Sequence, residues 1–159
     1  MKPTTVLTVL TGGGFLSETR ALLDGLEPGQ RAFLATIYGM LSNAPDGPKY
    51  LVPMFETVTR RSKIKCALAF LITFAFALQV IRWERVGLVI CVGSSHSVPI
   101  LLAARLLRRR SVFVESITRA NDLSGTGKLV YRLKLADRFY VQWPELQAAY
   151  PTVLLGTIL

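Results

Sequence analysis

Seven short runs of apolar and β-branched residues recur along the chain, and helix-length segments separate most of them. Several of these runs are apolar throughout, which is typical of strands that are covered on both faces. The pattern therefore predicts an α/β fold with an open, parallel, Rossmann-like sheet. The predicted strands are Thr5–Leu10, Ala32–Ile37, Tyr50–Val52, Gly87–Val92, Ser111–Glu115, Arg138–Gln142 and Thr152–Leu155.

The segments between the strands read as helices, with proline at Pro99 and Pro144 where a first helical turn accepts it. The predicted helices are Leu16–Leu26, Val58–Trp83, Pro99–Leu107, Lys128–Ala136 and Pro144–Tyr150. The 159 residues suffice for one such domain, 1–159, and not for two nucleotide-sized domains. An activity that needs two domains would require a second polypeptide.

The second predicted helix contains an apolar run, Cys66–Ile81, in which Thr73 and Gln79 are the polar residues and point in different directions. A helix without a polar face must be enclosed by protein or embedded in lipid. The run extends ~24 Å, short of the ~30 Å hydrocarbon core, so we favour a monotopic insertion over a membrane span. An ordinary core helix with solvated ends is the alternative.

The charge supports contact with an anionic membrane surface and argues against nucleic acid as the first partner, because the chain is basic and also strongly apolar. The net charge is +9, and 51% of the residues are hydrophobic. The cations that flank the apolar run are Arg60, Arg61, Lys63 and Lys65 before it and Arg82 and Arg85 after it. Cys66 and Cys91 lack metal-ligand spacing, so we expect reduced thiols.

Two turns at predicted strand ends could bind an anion. Gly12, Gly13 and Gly14 follow the first strand, and Ser94-Ser95-His96 follows the fourth. Loops at the carboxyl ends of parallel strands line one crevice, so these turns should face the same cleft. The dinucleotide fingerprint GxGxxG is broken by Ser17, and a tight βα turn without a ligand is the alternative.

A third turn, Ser124-Gly125-Thr126-Gly127-Lys128, resembles a P-loop, but Asp122 stands where that motif requires glycine. An ATPase is therefore disfavoured. The turn could still hold a carboxylate or a diphosphate at a helix N-terminus. The sequence shows no metal-ligand cluster and no cofactor fingerprint, so we predict neither a metal nor a cofactor.

Several segments from Gly87 to the end of the chain carry a dense resemblance to a known family. They are Val114–Arg119, Leu123-Ser124, Thr126–Leu129, Ala136-Asp137, Val141–Pro144, Tyr150-Pro151 and Leu155-Gly156. In these segments the chain resembles the membrane-anchoring subunit of the two-component N-acetylglucosaminyltransferase of dolichol-linked oligosaccharide synthesis. It is equally similar to the paired glycosyltransferase proteins of bacterial capsule and exopolysaccharide synthesis.

Nearer the N-terminus the resemblance depends on Gly13-Gly14 and Glu18. The family commonly has Gly-Gly-His here, and Phe15 stands in place of the histidine. This departure puts a proton-transfer role at that position in doubt.

The resemblance implies the N-terminal, acceptor-side half of a split GT-B glycosyltransferase. A separate donor-side subunit would bind the UDP-sugar, and the acceptor would be a polyprenyl diphosphate-linked sugar. We therefore expect a glycosyltransferase subunit that is active with its partner, on the cytoplasmic face of a bacterial inner membrane or of the endoplasmic reticulum. Because the chain lacks the usual leader helix of the eukaryotic subunit, attachment should depend on Cys66–Ile81.

Candidate site residues follow from the turns and the resemblance. The candidate catalytic bases are Glu18, His96 and Glu115, although His96 could be a loop hydrogen-bonder and Glu115 could simply pair with Arg119. The candidate acceptor and diphosphate contacts are Gly12, Gly13, Gly14, Ser94, Ser95, Ser116, Arg119, Thr126, Gly127 and Lys128. The candidate membrane contacts are Arg60, Arg61, Lys63, Lys65, Phe70 and Phe74. The candidate partner contacts are Gln142, Trp143, Leu155, Gly156, Thr157, Ile158 and Leu159.

Two other functions remain open on the sequence. A self-sufficient nucleotide-binding enzyme would contradict the broken GxGxxG and P-loop motifs. A non-catalytic membrane scaffold would explain the apolar helix and the charge, but it would leave the clustered polar turns without a role.

Overall fold

The computed structural model describes residues 5–41, 44–54 and 63–156. Its strands are β1 Thr5–Leu10, β2 Arg31–Ala35, β3 Lys49–Leu51, β4 Val86–Val92, β5 Arg110–Val114, β6 Arg138–Val141 and β7 Leu154–Leu155. Its α-helices are α1 Gly14–Leu22, α2 Ile37–Leu41, α3 Lys63–Trp83, α4 Ser97–Leu106, α5 Gly125–Leu133 and α6 Pro144–Ala149. A short 3-10 helix, Pro28–Gln30, precedes β2.

The seven strands form one sheet in the order β3-β2-β1-β4-β5-β6-β7, and every neighbouring pair is parallel. All seven predicted strands are present; β1 has the predicted bounds, and the ends of the other strands differ by at most two residues. The order reverses between β1 and β4, which makes the carboxyl ends of these two strands the topological switch point where such sheets bind ligands.

The helices differ from the predicted ones in several places, and α4 and α5 begin two and three residues before their predicted starts. Helix α1 begins two residues early, because Gly13 and Gly14 already turn the chain, and it ends at Leu22. Helix α2 and the 3-10 helix were not predicted, since five and three residues are too short to show a helical period. Residues 58–62 of the predicted second helix lie outside the described residues.

The core has two layers, one on each face of the sheet. On one face, Leu7, Val89 and Phe113 pack beneath α3, α4, α5 and α6 and are fully buried. On the other face, Leu10 and Phe33 pack with α1. The helices are therefore unequally divided between the two faces.

Helix α3 has 21 residues and is ~31 Å long, which exceeds the predicted apolar run. Small and branched residues face the protein, and its buried residues are Ala69, Thr73, Ala77, Val80 and Ile81. The opposite face is exposed and apolar, with Ile64, Leu68, Leu71, Ile72, Phe76 and Trp83. We call these six residues the α3 stripe. Within the described residues, α3 is the single helix whose length and hydropathy would allow it to cross a bilayer, and 28% of its most apolar stretch is buried in the protein.

Candidate functional site

A cleft of about 1070 Å³ lies at the carboxyl ends of the strands, above the switch point between β1 and β4. The loops after β1, β4 and β5 enclose it, together with the first turns of α3 and α5. Seven of the ten predicted acceptor contacts line it: Gly12, Gly13, Ser94, Ser95, Ser116, Arg119 and Thr126. The two turns that were predicted to face the same cleft, after β1 and β4, therefore do so, and the loop after β5 lies beside them.

The turn after β1 presents the start of α1 to the cleft. Gly12 has φ +86°, a conformation that L side chains rarely adopt, and a Cβ there would lie 3.2 Å from the Cβ of Tyr38. Helix α1 follows with Gly13 as its N-cap, so no side chain caps the first N–H groups. Such a helix start attracts an anion.

Phe15 packs on the turn after β4 and joins the two sides of the switch point. A Cβ built on Gly93 would lie 2.3 Å from the Phe15 ring, so the ring occupies the space of a side chain there. Phe15, which stands where the family has histidine, therefore forms an apolar part of the cleft wall.

His96 is buried beneath the same turn. Its Nε2 lies 3.0 Å from the carbonyl oxygen of Pro53, and its Nδ1 lies 3.4 Å from Ser94 Oγ. Burial lowers the pKa of His96, which favours the neutral ring, with one nitrogen donating to the carbonyl. This geometry connects the turn after β4 to the segment after β3.

Glu18 holds the loop after β5 from below. Its carboxylate, 4% exposed, accepts hydrogen bonds from Ser116 Oγ at 2.6 Å, the backbone N–H of Ile117 at 3.2 Å and Gln142 Nε2 at 3.0 Å. Gln142 Nε2 also lies 3.0 Å from the carbonyl oxygen of Glu115. The predicted partner contact Gln142 thus lies inside this network.

Glu115 is buried between β5 and the start of α5. Its carboxylate accepts from the backbone N–H of Ser116 at 3.2 Å and from the N–H and Oγ of Ser124 at 3.1 and 3.0 Å. Burial raises the pKa of Glu115, and the hydrogen bonds from Ser124 oppose that shift. A Cβ on Gly127 would lie 1.9 Å from Glu115 Oε2, so glycine is required at that position.

The start of α5 is less available to an anion than its sequence suggests. Ser124 Oγ already accepts from the N–H of Gly127, and Lys128 pairs with Asp122, which also accepts from Tyr150 at 2.7 Å. The bond from Lys128 lowers the pKa of Asp122 and raises that of Lys128. Lys128 and Gly127 therefore support the loop. Arg119 is exposed, and among the described residues that line the cleft it is the one arginine or lysine.

The remaining wall of the cleft is apolar and reaches α3. Residues that sequence reasoning did not assign to the cleft form it: Phe15, Tyr38, Met54, Cys66, Phe70, Val98 and Leu129. Tyr38 and Met54 come just after β2 and β3. Because the carboxyl ends of parallel strands line one cleft, their position in the sequence could have predicted that they lie there. The cleft thus combines a polar floor with an apolar side.

Phe70 and Phe74, the two aromatic residues predicted to contact lipid, do not belong to the α3 stripe. Phe70 lines the cleft and Phe74 packs against the core. The predicted cations Lys63 and Lys65 are exposed at the start of α3, and Arg60 and Arg61 lie outside the described residues.

Of the other predicted partner residues, Leu155 and Gly156 lie at the β7 edge of the sheet, and Trp143 follows the neighbouring strand β6. The indole N–H of Trp143 donates to the carbonyl oxygen of Ile117 at 2.7 Å. Leu154 and Leu155 of the edge strand are 40% and 45% exposed. Gly156 packs on the ring of Tyr140, and residues 157–159 lie outside the described residues.

Solved structures with a similar fold belong to enzymes about twice as long. The chain superposes on Acinetobacter baumannii MurG with a TM-score of 0.69 at 23% identity, over 91% of this chain and 43% of that one. A putative UDP-N-acetylglucosamine 2-epimerase from Listeria monocytogenes matches with a TM-score of 0.66 at 13% identity, over 95% and 42%. The predicted fold class, a Rossmann-like sheet equivalent to half of a GT-B glycosyltransferase, is confirmed.

Sequence relatives agree with the resemblance noted from the motifs. The chain is 43% identical over 89 residues to the human "UDP-N-acetylglucosamine transferase subunit ALG14", covering 52% of this chain and 40% of that protein. The subunit of the same name from Mus musculus is 35% identical over 121 residues, covering 70% and 54%. The chain therefore spans about half, or less, of the length of these relatives.

Residues 55–158 match the family model described as "Oligosaccharide biosynthesis protein Alg14 like". This match covers more than half of the chain and includes the loops after β4 and β5 that form the cleft. The chain belongs to the Alg14-like family of oligosaccharide biosynthesis proteins.

Proposed function

We propose that this chain is the acceptor-binding, membrane-associated subunit of a two-component UDP-sugar glycosyltransferase that acts on a polyprenyl diphosphate-linked sugar. The observation that carries the proposal is the composition of the cleft. An uncapped helix start and Arg119 lie on one side of it, and an apolar wall continuous with α3 lies on the other. The names of the relatives support UDP-N-acetylglucosamine as the donor.

The diphosphate of the acceptor would bind at the polar side. The N-terminus of α1 offers backbone N–H groups and the positive end of the helix dipole. Arg119 adds a guanidinium, which suits the geometry of phosphate oxygens. Ser94 and Ser95 supply hydroxyl groups on the facing turn. These groups would position the acceptor and leave its sugar hydroxyl to attack the donor's anomeric carbon.

The polyprenyl chain would leave the cleft along its apolar wall. Cys66 and Phe70 belong to the first two turns of α3, so the wall leads to the α3 stripe. Because the opposite face of α3 packs on α4 and β4 along its length, a membrane span would draw both elements into hydrocarbon. We therefore place α3 flat in the interface, with Lys63 and Lys65 at the level of lipid phosphates.

The donor would bind to a partner, because the relatives are named as subunits of a UDP-N-acetylglucosamine transferase. The described fold corresponds to less than half of the chains of the enzymes that share it. We place the interface at Trp143 and Leu155, which are exposed and were predicted as partner contacts, together with the exposed neighbour Leu154. Deleting residues 157–159 should then abolish co-purification with the partner and leave a folded domain. Unchanged co-purification would contradict this interface.

Of the three predicted bases, His96 and Glu115 line the cleft and Glu18 lies beneath the loop after β5. Each of them already makes hydrogen bonds within the protein. In this proposal they hold the loops, and proton transfer would require one of those bonds to open when the acceptor binds. Each of the three residues can be replaced by glutamine. If the residue is the general base, the substitution should remove one limb of the pH–rate profile. If it only positions the loops, the substitution should lower kcat and leave both limbs of the profile.

The test is reconstitution in lipid vesicles with a polyprenyl diphosphate-linked sugar and a UDP-sugar, with and without a separately expressed donor-side subunit that binds the UDP-sugar. We expect transfer only from the pair. Arg119→Ala should raise KM for the acceptor, and Arg132→Ala, an exposed arginine of α5, should not. Turnover by the chain alone would overturn the partner requirement, and a stable but inactive pair would favour a scaffold.

A further inference from the structure

Three consecutive helices end in the same short pattern. The chain reads Arg-Trp-Glu-Arg at residues 82–85, Arg-Leu-Leu-Arg at residues 105–108 and Arg-Leu-Lys at residues 132–134. These segments contain the C-terminal ends of α3, α4 and α5. Each of them has an arginine in the last helical turn, then an exposed large apolar residue, and then a second cation just beyond the helix.

The second cation of each segment has a left-handed backbone. The φ angle is +50° at Arg85, +52° at Arg108 and +48° at Lys134. This conformation costs free energy for a residue with a Cβ atom, and glycine therefore usually closes such a helix end. The turn after α1 follows that rule, with Gly25 at φ +85°. Within 5–41, 44–54 and 63–156, Ser94 is the one other non-glycine residue with a positive φ.

The helix dipole does not account for these three cations. A positive charge near the C-terminus of a helix stabilises the helix, and the effect is confined to the last turn. Each helix already has an arginine in that turn: Arg82 in α3, Arg105 in α4 and Arg132 in α5. Arg105 also donates to the carbonyl oxygens of Leu133 and Lys134 at 2.8 and 2.6 Å. The left-handed cations are therefore additional to the arginines that complete the helices.

The three helix ends form a row at the end of the sheet that is remote from the cleft. They lead into β4, β5 and β6, which are neighbours in the sheet. The bonds from Arg105 join the ends of α4 and α5, and α3 packs along α4. Because packed helices have axes about 8–10 Å apart, the row is about 20 Å long. We call five of its residues the basic row: Arg85, Leu106, Arg108, Leu133 and Lys134.

The cations of the basic row have no carboxylate partner in the part of the chain that the structure describes. The one ion pair there joins Lys128 to Asp122, at the other end of α5. The carboxylates beside the row in the sequence already accept hydrogen bonds, Glu84 from the hydroxyl of Tyr50 and Asp137 from a backbone N–H of β5 at 2.7 Å. The row therefore presents three exposed positive charges to a ligand.

Exposed apolar side chains lie between these charges. Leu106 is 65% exposed and Leu133 is 53% exposed, and Trp83, the last residue of the α3 stripe, is 67% exposed at one end of the row. A partner that covers these side chains gains free energy from their burial. Arginine and tryptophan are also enriched in protein interfaces. The row thus combines attraction for carboxylates with apolar contact area.

We propose that the basic row binds an extended acidic segment of another protein, with a carboxylate at every third residue and apolar side chains between the carboxylates. Three residues of extended chain span about 10 Å, which matches the spacing of the helix ends. The carboxylates pair with Arg85, Arg108 and Lys134. The apolar side chains cover Leu106 and Leu133. The cleft stays open to its ligands, because it lies at the opposite end of the strands.

An anionic membrane is the other surface that attracts both cations and apolar side chains. A bilayer that contacts the α3 stripe lies alongside α3, whereas the basic row lies across the ends of three helices. Such a bilayer meets the row at Trp83. The choice of a protein partner therefore rests on the interfacial placement of α3 in the proposed function, and the experiment includes vesicles for this reason.

The probe is a fluorescein-labelled peptide of about nine residues, with aspartate at every third position and leucine or valine between. We expect it to bind the full chain in anisotropy titrations, with an affinity that falls as salt rises. A triple variant, Arg85→Gly with Arg108→Gly and Lys134→Gly, should bind the peptide about tenfold more weakly or worse. Its Tm should stay equal or rise by roughly 2–4 °C, because glycine adopts a positive φ without strain.

Three controls accompany this measurement. A peptide of the same composition with its aspartates in one block should bind about tenfold more weakly, because its carboxylates cannot reach all three helix ends. Arg20→Gln with Lys63→Gln and Lys65→Gln removes three exposed charges from other surfaces and should change binding by less than about twofold. Glutamine at the three left-handed positions keeps the Cβ atoms, removes the charges and should weaken binding as glycine does.

Equal binding of the two peptides, or unchanged binding in the glutamine variant, would overturn the proposal. Binding lost in the glycine variant alone, together with a lower Tm, would assign the three cations to helix termination and would also overturn it. If the glutamine variant no longer sediments with phosphatidylglycerol vesicles, a lipid surface is the ligand and the interfacial placement of α3 fails as well. Loss of peptide specificity with normal vesicle binding would overturn this inference and leave the proposed function intact.

Discussion

Glu115→Gln tests whether the buried carboxylate stabilises the loop that forms the floor of the cleft. Glu115 is 1% exposed and accepts three hydrogen bonds, two through Oε2 from Ser124 and one through Oε1 from Ser116. A glutamine has one acceptor oxygen. If that oxygen keeps Ser124, the N–H of Ser116 faces an amide NH2 group and loses its partner.

An unsatisfied buried donor costs about 1–3 kcal/mol. For a domain of this size 1 kcal/mol lowers Tm by roughly 2–4 °C, so the expected loss is about 2–12 °C. Glu115→Ala should cost more, because all three donors lose their acceptor. Glu145→Gln is the matched control, since Glu145 is exposed in the first turn of α6 and its loss should cost less than about 1 kcal/mol.

The pH dependence gives a second, independent readout. Burial raises the pKa of Glu115, so the folded protein binds this proton more tightly than the unfolded chain. Between the ordinary pKa and the raised one, the contribution of Glu115 to the free energy of unfolding therefore falls as pH rises. The stability difference between wild type and Glu115→Gln should accordingly be largest at acidic pH and shrink toward neutral pH.

The assay is thermal or urea unfolding followed by the fluorescence of Trp143, whose indole N–H donates to the carbonyl oxygen of Ile117 in the same loop. Trp83→Phe removes the other tryptophan at an exposed position. An unchanged Tm in Glu115→Gln, together with a pH-independent difference from wild type, would refute the role assigned to Glu115.

Three further outcomes follow from the packing. Leu68→Glu with Leu71→Glu should release a folded protein from anionic vesicles in sedimentation assays, because the two side chains are 56% and 60% exposed. Retention of this variant on the vesicles would contradict the interfacial placement of α3. Gly39→Ala should lower Tm markedly, because its Cβ would lie 2.0 Å from a β1 carbonyl oxygen; an unchanged Tm would show that α2 can shift. Cys91 should resist iodoacetamide at pH 8 in the folded protein, since burial raises its pKa to about 12, while half-buried Cys66 reacts first; mass spectrometry of the labelled peptides distinguishes the two.

The strands could be predicted from the sequence because the strands of a parallel sheet that packs under helices carry apolar runs, and Val86–Val92 and Arg110–Val114 contain such runs. The site loops could be predicted as well, since the carboxyl ends of parallel strands meet at one edge. Short elements could not: α2, with five residues, shows no period, and the residues after β2 and β3 therefore went unassigned.

The tertiary structure alone decided which way each side chain of α3 points. A helix that is apolar all round has no polar face that would indicate its rotation about its axis. The sequence therefore could not show that Phe70 and Phe74 face the protein while Leu68 and Leu71 are exposed. Packing of Ala69, Thr73 and Ala77 on the protein made that choice, because small side chains allow the close approach of α4. Likewise, residue type and position alone predicted that Glu18 and Glu115 are catalytic bases. The folded chain brings Ser116 Oγ to 2.6 Å from the Glu18 carboxylate, so the carboxylate oxygens hold the loop after β5. Such contacts join residues 98 positions apart, and no local pattern in the sequence encodes them.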